Sequence, residues 1–219
     1  GTGLPSDLWI PSTRDVPPES SRQVTVQYNT IWNKSLFTYA GLYFKKLNNL
    51  IEYRSASPIY NPVINNFGVI PIINNSRDYE DRISIGEGEA YGLDFHANYN
   101  FLNFQLNATY NFGYSYRQFD NINKGEPFPF KYDRRHDISL VGAYKINEKW
   151  KVGSTFVYGS GHATTFATTQ FRSIDGELLF DFTQRNNFRL PAYHRLDISA
   201  SYVTEINKQF YINLSFGIY

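Results

Sequence analysis

From Phe104 to Ser115 the polarity of the chain switches at every residue. Phe104, Leu106, Ala108, Tyr110, Phe112 and Tyr114 fall on one side; Gln105, Asn107, Thr109, Asn111, Gly113 and Ser115 fall on the other. Successive side chains of an extended strand point to opposite faces, so this period of two predicts a strand with one apolar and one polar surface. About ten residues of this kind suffice for a tilted strand to cross the hydrocarbon layer of a membrane. A half-buried strand of a soluble sheet carries the same alternation, so the pattern by itself leaves both environments open.

Seven further stretches read as strands. Arg22 to Trp32 sets Val24, Val26, Tyr28 and Thr30 against Gln23, Thr25, Gln27 and Asn29. Ser35 to Lys45 is apolar or aromatic on both sides and receives no facing. Ile83 to Phe101 places Tyr91, Leu93, Phe95, Ala97 and Tyr99 opposite Gly92, Asp94, His96, Asn98 and Asn100. Tyr132 to Lys145 sets Ile138, Leu140, Gly142 and Tyr144 against Asp137, Ser139, Val141 and Ala143. Trp150 to Ser160 carries Trp150, Val152, Phe156 and Tyr158 on one side. Tyr193 to Glu205 sets Leu196, Ile198, Ala200 and Tyr202 against Asp197, Ser199 and Ser201, and the last strand sets Phe210, Ile212, Leu214, Phe216 and Ile218 against Gln209, Tyr211, Asn213, Ser215 and Gly217.

The connections alternate in length. Short turns fall at Asn33-Lys34, Leu102-Asn103, Asn147-Glu148-Lys149 and Asn207-Lys208, and long loops fall at residues 46–82, 120–131 and 161–192. The first long loop holds Pro58, Pro62 and Pro71 with Asn61, Asn65, Asn66, Asn74 and Asn75, a composition of turns and irregular chain. Residues 1–21, with Pro5, Pro11, Pro17 and Pro18, read as an irregular lead-in. A short, long, short, long rhythm matches an up-and-down barrel in an outer membrane, with short turns on the periplasmic side and long loops outside the cell. Residues 132–139, YDRRHDIS, are echoed by 193–199, YHRLDIS, each following a long loop.

Composition narrows the classes. No stretch approaches the roughly 20 apolar residues of a transmembrane helix, which excludes a helical membrane protein. A net charge of +1, from 21 basic and 20 acidic residues, gives no electrostatic footprint for nucleic acid. Tyr, Phe and Trp make up 18% of the chain, suiting amphipathic rings at two membrane surfaces and, in part, ordinary strand propensity. Without Cys there is no disulfide framework or thiol chemistry. The absence of Met and of an apolar leader at Gly1 predicts that the numbering starts within a longer translation product.

Several stretches carry a family resemblance: GTGLPSDLW with Pro11 near the start, EAYGLDF at 89–95, NKGEPFPFKYDRRHDISLVGAY at 123–144, YGSG at 158–161, and NNFRLPAYHRLDISASY at 186–202. In their order and spacing these resemble the C-terminal barrel region of TonB-dependent outer-membrane receptors. The resemblance implies an all-β, antiparallel, up-and-down transmembrane β-barrel, with residues 1–219 supplying about eight strands of a larger 22-stranded closure. It implies uptake of a scarce nutrient, such as a siderophore, vitamin or glycan, with TonB-supplied energy. The implied partners are outer-membrane lipid, a plug domain, the remaining strands and the TonB complex through an N-terminal part outside this sequence, with a surface lipoprotein as a further candidate. It also places the family pattern beyond Tyr219.

Candidate chemistry is thin. His96, His136, His162 and His194 lack the spacing of a compact metal site and read as lumen or rim positions. Asp133, Arg134, Arg135, His136 and Asp137 form the densest charge run, read as a solvated rim, with lipid phosphate held by the arginines as the sharper alternative. Glu87 and Glu89 with Asp78, Glu80 and Asp81 do not have EF-hand spacing and read as an acidic loop base. No GxSxG elbow supports a hydrolase, and Gly86, Gly88 and Gly92 read as strand flexing rather than a dinucleotide motif. The sequence therefore predicts no catalytic, cofactor-binding or metal residue, no cofactor and no enzyme, and assigns no ligand-binding residue. A complete eight-stranded barrel with an adhesive or structural role, and a soluble β-sandwich binding module, remain as alternatives.

Overall fold

The computed structural model describes residues 12–53, 63–65, 68–70, 83–167, 169–172, 178–181, 184–207 and 210–219. The expected lead-in up to residue 11, most of the first long loop with Pro58, Asn61, Pro62, Asn66, Pro71, Asn74 and Asn75, and the Lys208 turn position lie outside these residues. In chain order the strands are β1 (Ser20–Asn33), β2 (Leu36–Tyr53), β3 (Val63–Asn65), β4 (Gly68–Ile70), β5 (Ile83–Phe101), β6 (Phe104–Gln118), β7 (Phe128–Pro129), β8 (His136–Lys145), β9 (Trp150–Gly159), β10 (Ala163–Thr164), β11 (Thr169–Arg172), β12 (Leu178–Asp181), β13 (Phe188–Arg189), β14 (Tyr193–Asn207) and β15 (Phe210–Ile218).

Eight long strands form one antiparallel meander in the order β1-β2-β5-β6-β8-β9-β14-β15, and β7 adds a short pairing to β6. Turns between sequential neighbours are closed by side chains that mimic the backbone. Asn33 Oδ1 accepts from the amides of Ser35 and Leu36, and Asn147 Oδ1 accepts from those of Lys149 and Trp150. Asn is favoured at such turns because its short amide can bond the backbone two residues on.

Register settles the facing of every long strand, because directly paired residues project to the same side. One row runs Thr30, Thr38, Ala97, Ala108, Leu140, Phe156, Leu196. The adjacent row runs Asn29, Tyr39, His96, Thr109, Ser139, Val157, Arg195. The apolar sets read from the sequence thus share one continuous surface across the sheet. The strand whose facing the sequence left open is resolved by its partners: Thr38, Ala40, Leu42 and Phe44 join the apolar surface, while Phe37, Tyr39 and Tyr43 join the polar one.

That apolar surface is not a protein core. Val24 is 67% exposed, Leu196 53% and Phe216 62%, and none of the apolar-set residues is among the buried hydrophobics. A soluble sandwich would bury this face against a second sheet, and an open hydrophobic surface of this extent belongs against lipid. Aromatic rings bound it at both ends. Tyr99, Phe101 and Phe104 cluster beside one short turn, Trp150 and Tyr202 pair at 4.9 Å near others, and Tyr91, Tyr114 and Tyr116 pack together at the long-loop end. Phe104 to Tyr114 spans, at about 3.4 Å per residue and about 40° of tilt, roughly 25 Å, the height of the apolar band of such barrels.

The buried cluster sits elsewhere. Leu50, Phe119, Ile122 and Phe128, with Leu47 against them, pack at the long-loop end. Leu47 and Phe128 are registered on the polar side of the sheet, opposite Gly88 and Arg117. A bulge at Asn49, with φ 57°, changes the alternation so that Leu50, opposite Gly86, also faces this side. Four expectations are corrected by the structure. Gly86, Gly88 and Gly92 are seats rather than flexing points: a Cβ at Gly86 would collide with the Phe119 ring, at Gly88 it would stand 2.9 Å from Leu50 Cδ1, and at Gly92 2.7 Å from Tyr43 Oη. The second strand continues to Tyr53, so the first long loop starts later than residue 46. The third long loop carries β10 to β13 rather than plain irregular chain, and β8 begins at His136 rather than Tyr132.

The two faces predict opposite tolerances. Arg at Leu106 or Leu214, on the apolar side, should destabilise the barrel by about 2–4 kcal/mol near the bilayer midplane, and by much less at Asn107 or Asn213. Folding titrations in lipid vesicles check this, and equal losses on both faces would reverse the assignment.

Candidate functional site

The polar face forms a hydrogen-bonded wall. Asn98 Nδ2 donates to Asn107 Oδ1 at 2.6 Å, Asn100 donates to Asn98, and His96 Nδ1 lies 3.3 Å from Thr109 Oγ1. Paired amides and hydroxyls of this kind satisfy one another while keeping capacity for water or a polar ligand. At the long-loop end the wall acquires a roof built by the second and third long loops.

The roof is fastened by charges that lie far apart in sequence. Arg185 donates to Glu52 Oε1 at 2.7 Å, and Arg117 stands 3.5 Å from Glu52 Oε2. The Arg117 guanidinium also lies 3.6 Å from the centroid of Phe130. Burial lowers the Arg117 pKa from its ordinary value, opposed by the Glu52 and Glu19 carboxylates. Asn123 and Arg185 bond reciprocally, with Arg185 N donating to Asn123 Oδ1 at 2.7 Å and Asn123 Nδ2 to Arg185 O at 3.2 Å.

The run Asn186-Asn187-Phe188-Arg189 then fastens the third loop residue by residue. Asn186 Nδ2 donates to Pro129 O at 2.8 Å, and its backbone N–H donates to Thr165 Oγ1 at 3.0 Å. Asn187 brackets the backbone of Phe166 through both side-chain atoms, while Phe188 meets the Phe166 ring edge-on at 4.9 Å. Arg189 donates to the carbonyls of Asp133 and Gly161, both at 2.7 Å, and to the Asp133 carboxylate.

Asp133 departs from the expected solvated rim: its side chain is 1% exposed. It accepts from Ser115 N at 3.1 Å and is contacted by Arg189, with Arg135 Nε at 3.5 Å. A buried carboxylate keeps its charge only when so surrounded. Its neighbours separate: Arg134 donates to Asp137 Oδ2 at 2.9 Å and stands 2.9 Å from His162 Nε2, whereas Arg135 lies 3.8 Å over the Tyr114 ring. His136 registers on the apolar face, 2.9 Å from Tyr110 Oη, and His194 is registered opposite Tyr158 on that face. The four histidines are therefore spread over wall, roof and outer rim, and among the described residues no three or more His, Asp or Glu side chains converge for a metal. Glu87 pairs with Lys46 at 3.4 Å, and Asp78, Glu80 and Asp81 lie outside the described residues. Sequence reasoning missed Glu52, Arg117, Arg185 and Arg189; the last two flank NNF, and only that motif hinted at them.

A single-layered meander with an apolar outer face, two aromatic belts and a polar, roofed inner face defines a transmembrane β-barrel wall. The family model described as TonB dependent receptor-like, beta-barrel, matches residues 4–219, and the chain belongs to that family, whose place is the outer membrane. The fold is similar to that of the ferripyoverdine receptor of the outer membrane of Pseudomonas aeruginosa, at TM-score 0.52 and 14% identity over 85% of this chain and 22% of that one. It is similar also to the FrpB iron transporter of Neisseria meningitidis, at TM-score 0.55 and 10% identity over 93% of this chain and 27% of that one. The chain thus spans about a quarter of the length of these relatives. No curated protein matches it by sequence.

The Asp133–Arg189 pair carries a direct expectation. Arg189→Ala leaves a buried carboxylate short of its main partner and should destabilise the roof by about 3 kcal/mol, because uncompensated buried charge is costly. Asp133→Asn in the same chain should recover part of that loss. Thermal unfolding and protease sensitivity of residues 161–192 report both, and an Arg189→Ala variant within error of wild type would show the pair to be dispensable.

Proposed function

We propose that this chain is part of the barrel of an active-transport receptor that takes up a scarce nutrient, using energy supplied through TonB. In this reading residues 1–219 are a partial barrel domain, and the plug and the remaining strands belong to the same receptor. The observation that carries the reading is the roof. The described residues of the second and third long loops are tied to one another and to the wall by Glu52, Arg117, Arg185, Asp133 and Arg189. A purely structural barrel has no need to organise its external loops around the lumen, whereas a receptor must hold a ligand there.

The proposed role is capture and passage, with no bond made or broken by this chain. The ferripyoverdine named for one relative and the iron named for the other make a siderophore-type complex the first substrate class to test; vitamins and glycans follow. The eight-stranded small-barrel alternative is disfavoured by the open sheet, in which β1 is paired to β2 and β15 to β14, with no β1–β15 pairing among the described residues.

The test uses the full receptor in cells. Uptake of a labelled ferric siderophore panel, with vitamin and glycan probes beside it, should depend on this gene and on energised TonB, while binding to the cell surface should persist without energy. Deleting residues 161–192 should abolish binding and leave the barrel folded. Energy-independent uptake, or unchanged binding after that deletion, would overturn the reading.

A further inference from the structure

Outward-facing positions of β1, β2, β5 and β6 change character toward the long-loop end. Arg22, Lys46, Glu89, Tyr116 and Pro129 occupy a single registered row, and one step toward the short turns the row is Val24, Phe44, Tyr91 and Tyr114. Charges cannot stand in hydrocarbon without large cost, so on β2 and β5 the boundary between acyl chains and headgroups falls between Phe44 and Lys46 and between Tyr91 and Glu89, next to Tyr114 and Tyr116 of β6. At that boundary a cavity of about 230 Å³ opens, lined by Tyr114, Tyr116, Pro127, Phe128, Pro129 and Arg135 among others.

The charge in this cavity is unbalanced. Asp133 lies between two guanidiniums, in contact with Arg189 and 3.5 Å from Arg135 Nε, so one carboxylate faces two cations. Asp133 is itself buried, with a side chain 1% exposed, while the Arg135 side chain is 33% exposed. Arg135 Nε is buried and makes no hydrogen bond among the described residues, so the exposure of this side chain belongs to its other atoms. The neighbouring Arg134 is neutralised by Asp137, and Glu89 stands opposite Lys46. What remains is a flat, partly open cation stacked on Tyr114 at the headgroup level, beside an apolar recess of aromatic and proline rings.

We propose that this recess is a docking site for a phosphate-bearing lipid of the outer leaflet. The phosphate bonds the Arg135 guanidinium, whose fork of donors fits phosphate oxygens, and the first carbons of an acyl chain lie against Tyr114, Tyr116 and Pro129. The stacking on Tyr114 holds the guanidinium at a fixed height, so binding would place the barrel in the membrane as well as retain the lipid. Tyr114, Tyr116 and Pro129 of this recess belong to the outward rows, whereas Phe128 behind them is registered on the polar side.

The full receptor in nanodiscs, titrated with lipid A, with its dephosphorylated form and with inorganic phosphate, tests this. A charge-assisted phosphate contact should give lipid A on the order of tenfold tighter binding than the dephosphorylated form, and Arg135→Gln should erase that preference. Inorganic phosphate should not compete; competition at the same site would mean ion binding without a lipid and would overturn the proposal. Equal binding of the two lipids, or an unchanged preference in Arg135→Gln, would overturn it also. Should Arg135→Gln fail to fold, a photoreactive phosphorylated lipid on the wild-type receptor decides, since adducts must map to residues 114–116 or 127–135. Nutrient uptake by the wild-type receptor is read in parallel, so that a failure of lipid binding is told apart from a failure of the transport reading.

Discussion

Everything in this structure follows from the fact that hydrocarbon offers no partner to a backbone amide or carbonyl. A strand crossing it must have both edges paired, at several kcal/mol for each group left open. The meander meets that demand for its inner strands: each of β2, β5, β6, β8, β9 and β14 is bonded on both sides. β1 and β15 each present one open edge among the described residues, which is the physical reason the sheet calls for further strands of the same barrel. The same demand fixes the register, since a slip by one residue would turn Asn107 and Thr109 to lipid and Leu106 and Ala108 to water.

With the wall determined by lipid, the protein's freedom is concentrated at the long-loop end. There the chain builds the core it lacks elsewhere. Phe119 settles on Gly86 and Leu50 on Gly88, and the resulting apolar cluster supports a layer of ion pairs and amide brackets. Glycine at these two positions serves close approach rather than flexibility, because any Cβ would occupy the space of the ring or the methyl above it. Ion pairs in such a layer are costly to desolvate, which is why nearly every one is supplemented by a backbone acceptor or an aromatic face: Arg189 by two carbonyls, Arg117 by Phe130, Arg135 by Tyr114.

How much of this could be read from the sequence follows the range of the forces involved. Facing within β1, β5, β6, β8, β9, β14 and β15 was legible because lipid acts on each strand alone and writes a local period of two. The Ser35 to Lys45 stretch was not, because Phe37, Tyr39 and Tyr43 are aromatic on the inward face, where Tyr39 lies against Gly41 and Tyr43 over Gly92. Their side is decided by pairing partners, not by composition. Tyr132 to Arg135 continued the apparent strand, yet Asp133 is drawn inward by Arg189, 56 residues away. The Glu52–Arg185 bond joins positions 133 residues apart, beyond any local period.

The division of labour between the two ends has a consequence for how such a chain can change. Outward positions answer to one solvent that is the same for every barrel, so they accept any apolar residue of suitable shape and carry little information about cargo. Inward and roof positions answer to particular partners within this chain, and replacements at Arg185 and Arg189 disturb side-chain contacts to other segments, among them Glu52, Asp133 and Gly161. A receptor that must alter its ligand while keeping its wall would therefore vary the segments suspended between these anchors rather than the anchors themselves. The fastened residues 184–190 and 128–135 are the frame, and the β11–β12 pair, a two-stranded sheet of its own, is the part free to be reshaped.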